Sequence, residues 1–184
     1  SPGAMFIQDI KGTFKKTNEK LLEADRISED SDCVFFDADN DGDIDLYVAS
    51  GGNEFPNSSS ALADRLYLND GRGVFSKSDQ MLPSFEYTSS SCVSASDYDM
   101  DGDIDLFVGS RLIPFAYGLA PPAYLLQNDG KGVFSDVKAA KAPSLQAAGM
   151  ITDMAWTDID ADKDPDILYV GEWSGIKVLI NENG

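Results

Sequence analysis

The feature that most constrains this chain is a nine-residue, aspartate-rich window that occurs three times. The windows begin at Asp37, Asp97 and Asp158, at spacings of 60 and 61 residues. A second marker, the phenylalanine that follows a glycine-containing turn, recurs as Phe14, Phe75 and Phe134, at spacings of 61 and 59 residues. Two independent markers with one period indicate tandem copies of a single structural unit.

Each unit is predicted to form four short strands. In the first unit, residues 33–36 lead into the aspartate window, and residues 45–49 lead out of it with the β-branched and aromatic composition of a buried strand. After a variable connection, Arg65–Asn69 and residues 74–77 flank a tight turn at residues 70–73, which is the pattern of a hairpin. The second unit repeats this order.

Four-stranded antiparallel units in tandem predict the blades of a β-propeller, and therefore an all-β fold. About three repeats are present, whereas four to eight blades normally close a ring. We therefore expect an incomplete propeller or arc, either excised from a larger one or associating with copies of itself through open blade edges. Residues 1–4 are expected to be a tag remnant, and residues 5–184 the three-repeat propeller fragment. Helix is expected for no more than one turn, at Glu19–Ala24.

The aspartate windows are candidate calcium sites. Their carboxylates are Asp37, Asp39, Asp41, Asp43 and Asp45 in the first, Asp97, Asp99, Asp101, Asp103 and Asp105 in the second, and Asp158, Asp160, Asp162, Asp164 and Asp166 in the third. Calcium takes six to eight oxygen ligands, and alternating carboxylates on a turning loop can converge on one ion. We expect side-chain oxygens from positions one, three, five and nine, and a backbone carbonyl from position seven.

The third window departs from the shared D-x-D-x-D-G-x-x-D pattern because Lys163 stands where the others have glycine. Glycine is favoured there for its backbone freedom, although the lysine ammonium could offset part of the charge. We therefore expect two to three calcium ions. The EF-hand shares the first half of this pattern but needs a bidentate Glu at position twelve, where this chain has Val48, Val108 and Tyr169.

Charge and composition exclude several functions. The chain has 32 acidic and 14 basic residues, a net charge of −18, and removing the fifteen window aspartates leaves only −3. This balance speaks against nucleic acid or anionic membranes as partners, and no apolar stretch approaches the roughly 20 residues of a membrane span.

Histidine is absent, which removes Ser-His and Cys-His nucleophile pairs. Because carboxylates committed to calcium are poor proton donors, we expect no enzymatic activity.

The order of strand, D-x-D-x-D-G-x-x-D, strand, variable connection and N-D-G-x-G-x-F resembles the FG-GAP or VCBS repeats of integrin-α-type propellers, over nearly the whole chain. A narrower resemblance, to bacterial proteins that carry an ASPIC/UnbV domain, rests on residues 46–56, 109–114, 121–122, 149–153 and 171–173. The resemblance implies that residues 37–45, 97–105 and 158–166 hold metal and brace the blades. It also implies an exported or cell-surface protein.

The energetics of calcium binding also favour a location outside the cytoplasm. Extracellular modules bind calcium with Kd on the order of 10⁻⁴ to 10⁻³ M, so roughly 1 mM calcium would stabilise the fold by about 1.4 kcal/mol per site at the tighter limit. We therefore expect a secreted or cell-surface location, with any export signal already removed, and a non-catalytic scaffold for interaction or adhesion. The alternative is an accessory propeller domain of a larger secreted carbohydrate-active enzyme.

A protein or glycan partner could bind the long connections at residues 51–64 and 111–122. The apolar second connection either packs on a neighbouring blade or a further domain, or forms a contact surface with Arg111 as its polar anchor. Trp156 and Trp173 are predicted to pack between blades. Cys33 and Cys92 are predicted to be buried free thiols.

Overall fold

The computed structural model describes residues 3–82 and 88–182, which form one hairpin and three larger antiparallel sheets. The hairpin pairs β1 (Met5–Gln8) with β2 (Phe14–Thr17). The first blade contains β3 (Glu29–Phe36), β4 (Asp45–Gly51), β5 (Arg65–Asn69) and β6 (Phe75–Lys77). The second contains β7 (Ser89–Ser96), β8 (Asp105–Leu112), β9 (Tyr124–Asn128) and β10 (Phe134–Asp136). The third contains β11 (Met150–Thr157), β12 (Asp166–Glu172) and β13 (Lys177–Leu179).

Strands follow one another in sheet order within each blade, so every connection joins neighbours. This architecture confirms the predicted all-β fold and its propeller-like arc. Helices are short: α1 is Glu19–Ala24, as expected, and α2 is Lys138–Lys141, which the sequence analysis did not identify. Single 3₁₀ turns occur at Ser60–Leu62 and Pro143–Ala147. In the described part of the chain, no helix is long and apolar enough to cross a membrane.

Apolar clusters between the blades form the core. The cluster between the first and second blades includes the fully buried Tyr47 and Leu126, and the cluster between the second and third includes Phe107 and Ile151. Because each sheet has a neighbour on its face, β4 and β8 are buried along almost their whole length. This explains why both strands consist of continuous apolar runs rather than alternating residues.

A serine at a bulge in the first strand of each of the first two blades connects that blade to the next. Ser31 Oγ donates to the backbone oxygen of Ser90 at 2.8 Å, and Ser91 Oγ donates to that of Ile151 at 2.7 Å. The strand register shifts around both serines, which brings their side chains to the neighbouring sheet. Thr152 takes the same place in the third blade, where it donates only within its own blade, to Val170.

Two sequence predictions about side-chain burial were wrong. Cys33 is exposed, whereas Cys92 is buried as expected, because β7 has a neighbouring blade on each side, at β3 and β11, whereas β3 has a neighbouring blade on one side, at β7. Trp173 is 80% exposed, and its ring meets that of Tyr117 at 5.5 Å on the surface. The prediction for Trp156 is confirmed by its stacking on Tyr98 of the second blade.

A buried carboxylate links the first and second blades. Asp64 accepts hydrogen bonds from the Ser50 backbone N–H at 2.7 Å, the Tyr47 hydroxyl at 2.9 Å and the Ser90 hydroxyl at 3.0 Å. Burial raises the pKa of Asp64 to about 7, because these hydrogen bonds only partly replace the lost water. Asp64 is therefore protonated in the folded protein at pH values where it would ionise in the unfolded chain.

This shift predicts a pH dependence of stability with a defined sign. Because the folded-state pKa of Asp64 is raised, its contribution is fully present at low pH and is lost as the pH rises towards and through about 7. Between pH 6 and pH 8 the loss is about 1.4 kcal/mol of unfolding free energy. In chelator, urea unfolding should show a loss over this pH range that is about 1.4 kcal/mol smaller in Asp64→Asn than in the wild type, since other titrating carboxylates contribute equally to both proteins. An equal pH dependence in the two proteins would contradict the assignment.

Candidate metal centres

Each aspartate window is the turn between the first and second strands of a blade, and all three turns have the same backbone conformation. Position six is left-handed in each, with φ of 90° at Gly42, 97° at Gly102 and 88° at Lys163. Position four is also left-handed in each, with φ between 56° and 66° at Asn40, Met100 and Ala161. Lys163 therefore does not change the loop, although it adopts a conformation that glycine adopts with less strain.

The first aspartate of each window holds the turn closed. Its Oδ2 accepts the backbone N–H of position six, at 3.0 Å from Gly42 to Asp37, 3.1 Å from Gly102 to Asp97 and 3.1 Å from Lys163 to Asp158. The fifth aspartate accepts the N–H of position seven at 2.8 to 3.0 Å in all three windows. The alternating pattern is thus explained in part by hydrogen bonding within the loop.

Three carboxylates converge in each loop. One oxygen from each member of a triad lies within 4.8 Å of the other two, and the triads are Asp37, Asp39 and Asp45, then Asp97, Asp99 and Asp101, then Asp158, Asp160 and Asp166. The remaining predicted ligands lie outside these triads, and they are Asp41, Asp43, Asp103, Asp105, Asp162 and Asp164. Positions one and three converge in every window, so they are the most consistent candidate ligands.

The triads contain buried oxygens that no protein donor satisfies. Oδ1 of Asp37, Asp39 and Asp99 is buried without a hydrogen-bond partner among the described residues. Burial, followed by repulsion from the neighbouring carboxylates Asp41 and Asp101, raises the pKa of Asp39 and Asp99. Unpaired buried acceptors are costly, and a bound cation would both coordinate these oxygens and reverse the repulsion. The residues therefore fit a hard cation such as calcium.

The ninth aspartate is fully buried and connects the loop to the outer hairpin. Asp45 accepts the Ala38 N–H with Oδ2 at 2.9 Å and the Asn69 N–H with Oδ1 at 2.7 Å. Asp105 and Asp166 make the equivalent pairs of hydrogen bonds. Burial raises the pKa of Asp105 to about 7. Position nine therefore has a structural role in addition to its predicted role as a ligand.

In the first two windows the seventh aspartate does not turn its side chain into the cluster. Asp43 lies against Gly71 and Asp103 lies against Gly130, so closely that an added Cβ on either glycine would be within 2.4 to 2.6 Å of a carboxylate oxygen. Asp103 also accepts a hydrogen bond from Asn40 of the first blade at 2.6 Å. This arrangement agrees with the expectation that position seven would use its backbone rather than its side chain.

The asparagine of the N-D-G turn was not recognised as an interblade residue. Asn128 of the second blade donates to the Ala38 carbonyl of the first loop at 2.8 Å, and Asn181 of the third blade donates to the Tyr98 carbonyl of the second loop at 2.7 Å. These bonds connect each blade to the preceding aspartate loop. The recurrence of Asn at the C-terminal end of the third strand, as Asn69, Asn128 and Asn181, was a sequence signal that could have identified them.

Comparison with known proteins supports the repeat. The model of the FG-GAP-like repeat family matches residues 37–108, which extend from the first aspartate window into β8. No curated protein matches the chain. Together with the stacked sheets, the match over these residues suggests a β-propeller-type interaction domain. The narrower resemblance to ASPIC/UnbV-domain proteins remains a prediction.

The strained backbone at position six predicts a stabilising substitution. Lys163→Gly should raise the free energy of unfolding in chelator by about 1 kcal/mol, because glycine adopts the left-handed conformation without a Cβ penalty. Lys131→Gly, which removes the same side chain from a turn position without positive φ, is the matched control and should not stabilise the protein. Equal effects of the two substitutions on urea unfolding would contradict this explanation.

Proposed function

We propose that the three loops each bind one calcium ion and that the protein is a non-catalytic, calcium-stabilised scaffold. The observation that carries this proposal is the convergence of three carboxylates in each loop, with buried unpaired oxygens in the first two. The three members of each triad would supply ligands, and in the first loop these are Asp37, Asp39 and Asp45. In each loop, calcium would only neutralise the carboxylate charges and cross-link the residues that bind it.

The donor chemistry supports calcium over softer metals. Every candidate ligand is an oxygen, the chain has no histidine, and neither cysteine lies in an aspartate window. Carboxylate and carbonyl ligands suit calcium, magnesium and manganese, whereas zinc and copper favour nitrogen and sulfur. The number of available oxygens favours calcium, since magnesium usually keeps several waters and one or two carboxylates.

We further propose a secreted or cell-surface location and a role without catalysis. At cytosolic calcium, on the order of 10⁻⁷ M, sites of the affinity typical for extracellular modules would add almost nothing to stability. Twelve of the fifteen loop carboxylates accept backbone hydrogen bonds or lie in the triads, so they are poorly available for proton transfer. A structural use of calcium outside the cytoplasm accounts for both features.

The long connections supply a surface for a protein or glycan partner. Phe115, Tyr117 and Leu119 are more than half exposed, although the Tyr117 ring meets that of Trp173 of the third blade at 5.5 Å, so part of this connection contacts a neighbouring blade and part is accessible to a partner. Arg111 donates to Glu172 at 2.9 Å, and Tyr117 also donates to Glu172, so the expected polar anchor is part of a local network. Beside it is a cleft of about 420 Å³.

The exposed aromatic pair favours the glycan alternative, in which the chain is an accessory domain of a secreted carbohydrate-active enzyme. Tyr117 and Trp173 meet edge to face at 5.5 Å, with Trp173 80% exposed beside the carboxylate of Glu172. An exposed ring next to hydrogen-bonding groups can stack on the apolar face of a sugar. The scaffold proposal does not require this pair to bind saccharides.

Self-association through open blade edges remains a proposal, and the outer face of the third blade is a further surface that it could use. The equivalent face of the first blade is covered by the second, and Asp32 there accepts the Val93 N–H at 3.0 Å. On the third blade, Asp153 and Val178 are exposed instead. These residues form an open surface that another sheet of the same kind could cover.

Calcium binding is tested by calorimetric titration after chelation. We expect two to three sites, with a melting temperature raised on the order of 10 °C in millimolar calcium. Asp39→Asn should remove one site, because it neutralises a triad carboxylate with a buried unpaired oxygen. Asp70→Asn, in an exposed turn of the same blade, is the control for loss of charge and should keep all sites. Absence of both binding heat and thermal stabilisation would refute the proposal.

A glycan array distinguishes the non-catalytic scaffold from the accessory domain of a carbohydrate-active enzyme. The accessory-domain alternative predicts saccharide binding that falls at least tenfold in Trp173→Ala, because the stacking surface is removed. Phe6→Ala, which removes another exposed aromatic ring from the distant hairpin, should bind as the wild type does. Lack of binding to any glycan, or binding that is unaffected by Trp173→Ala, would argue against this alternative.

A further inference from the structure

The cleft beside Arg111 and Glu172 is formed by all three blades. Its volume is about 420 Å³, and it lies where β3 and β7 begin and where β4 and β8 end. The aspartate loops join the other ends of these strands, so the cleft and the loops are on opposite sides of the arc. The cleft therefore belongs to the side that carries the long connections, and most of its lining residues have polar side chains.

Three hydroxyl side chains at equivalent positions line this cleft. They are Ser31, Ser91 and Thr152, one in the first strand of each blade, at spacings of 60 and 61 residues, and we call them the strand hydroxyls. Ser31 and Ser91 donate to backbone carbonyls of the next blade at 2.8 and 2.7 Å, and Thr152 donates to one in its own blade at 3.4 Å. A hydroxyl has one hydrogen and two lone pairs, so these groups can only accept further hydrogen bonds. The cleft therefore favours a ligand that is rich in hydrogen-bond donors.

Two glutamates, of which one lines the cleft, form a carboxyl pair. Glu29 lines the cleft, and its carboxyl group is hydrogen-bonded to that of Glu54. The pair lies against Gly52, where an added Cβ would be 2.5 Å from Glu29 Oε2 and 3.0 Å from Glu54 Oε2. The hydrogen bond with Glu54, followed by the charge of that carboxylate, raises the pKa of Glu29. Among the described residues neither glutamate forms a salt bridge, so a cationic group on a ligand would offset the repulsion within the pair.

An exposed tryptophan adjoins the cleft. Tyr117 lines the cleft, and its ring meets that of Trp173 edge to face at 5.5 Å. The Trp173 ring also lies close to Gly118, where an added Cβ would be 3.4 Å from it, yet the residue is 80% exposed. The ring is therefore held in place while most of its surface stays open, which suits stacking on the apolar face of a sugar.

The strand hydroxyls distinguish a saccharide from an extended peptide. A peptide backbone brings one acceptor with each donor, and groups that only accept cannot satisfy its carbonyl oxygens. A saccharide carries several hydroxyl groups on each ring, and every one of them can donate. Because an anionic saccharide would add negative charge beside the carboxyl pair, the charge of the cleft favours an amino sugar.

From these observations we propose that the cleft binds an oligosaccharide that carries free amino groups. An ammonium group of the ligand contacts the carboxyl pair, its hydroxyl groups donate to the strand hydroxyls, and one sugar ring stacks on Trp173. This inference names the ligand class of the proposed glycan-binding surface and rests on that proposal. It requires neither catalysis nor bound calcium.

Calorimetric titration of the full chain at pH 6 tests the ligand class. The probes are the tetramers of β-1,4-linked glucosamine, of β-1,4-linked N-acetylglucosamine and of lysine. We expect the glucosamine tetramer to bind at least tenfold more tightly than the other two, because the acetylated tetramer lacks the charge and tetralysine brings backbone carbonyls. Equal binding of the two saccharides would overturn the amino-group requirement and leave the glycan alternative standing. Equal or tighter binding of tetralysine would overturn the saccharide assignment, and no binding of any probe at millimolar concentration would overturn the site.

A matched pair of double variants tests the location. Glu29→Gln with Glu54→Gln removes the charge of the carboxyl pair, and Glu19→Gln with Glu23→Gln removes the same charge from exposed residues of α1. We expect the first double variant to weaken binding of the glucosamine tetramer at least tenfold and the second to change it less than twofold. Equal effects of the two would place binding elsewhere and reject this site. Calcium titration should be unchanged in both, so failure of this site is distinct from failure of the calcium proposal. If circular dichroism shows that the first double variant is unfolded, the comparison of the three probes still decides the question.

Discussion

The two backbone hydrogen bonds accepted by the ninth aspartate of each window are the interaction on which the rest of the structure depends. One oxygen of Asp45 accepts from the second residue of the loop and the other accepts from the end of β5, so a single buried side chain connects the aspartate loop, the second strand and the outer hairpin. Its burial is possible because both oxygens are paired, in agreement with the rule that buried charge must be satisfied. The carboxylates at positions one and three gain their relative positions from this anchored loop.

Contacts between blades combine apolar packing with a small set of polar bonds that recur in each repeat. The apolar clusters supply most of the burial, but they are not directional. Ser31 and Ser91, at the bulges, and Asn128 and Asn181, at the hairpin turns, fix the alignment of one sheet on the next at opposite ends of the blade. The arc is therefore defined by both kinds of contact.

The sequence was sufficient to predict the repeat, the strand order and the aspartate loops, because each depends on local patterns that recur with one period. The loop at Lys163 was harder to assess, since only its left-handed backbone and its bond to Asp158 establish that it matches the others. The sequence did not identify Asn18 and Gln80 as interblade residues. The side-chain amide of each accepts one hydrogen bond from the backbone at the outer strand of the following blade and donates another to it. Their residue types and offsets differ, so no repeated pattern marks them. Exposure of Trp173 depends on loop conformation, which composition does not encode.

The asparagine bonds between successive blades have a consequence for the order in which the structure opens. Each blade is held only by its immediate neighbours, so its resistance to local opening should be set by how many neighbours it has. In the described structure the second blade is held on both faces, through Asn128 to the first loop and through Asn181 from the third blade. Amide hydrogens of β8 should therefore exchange more slowly than those of β12, although both strands occupy the same place in the repeat.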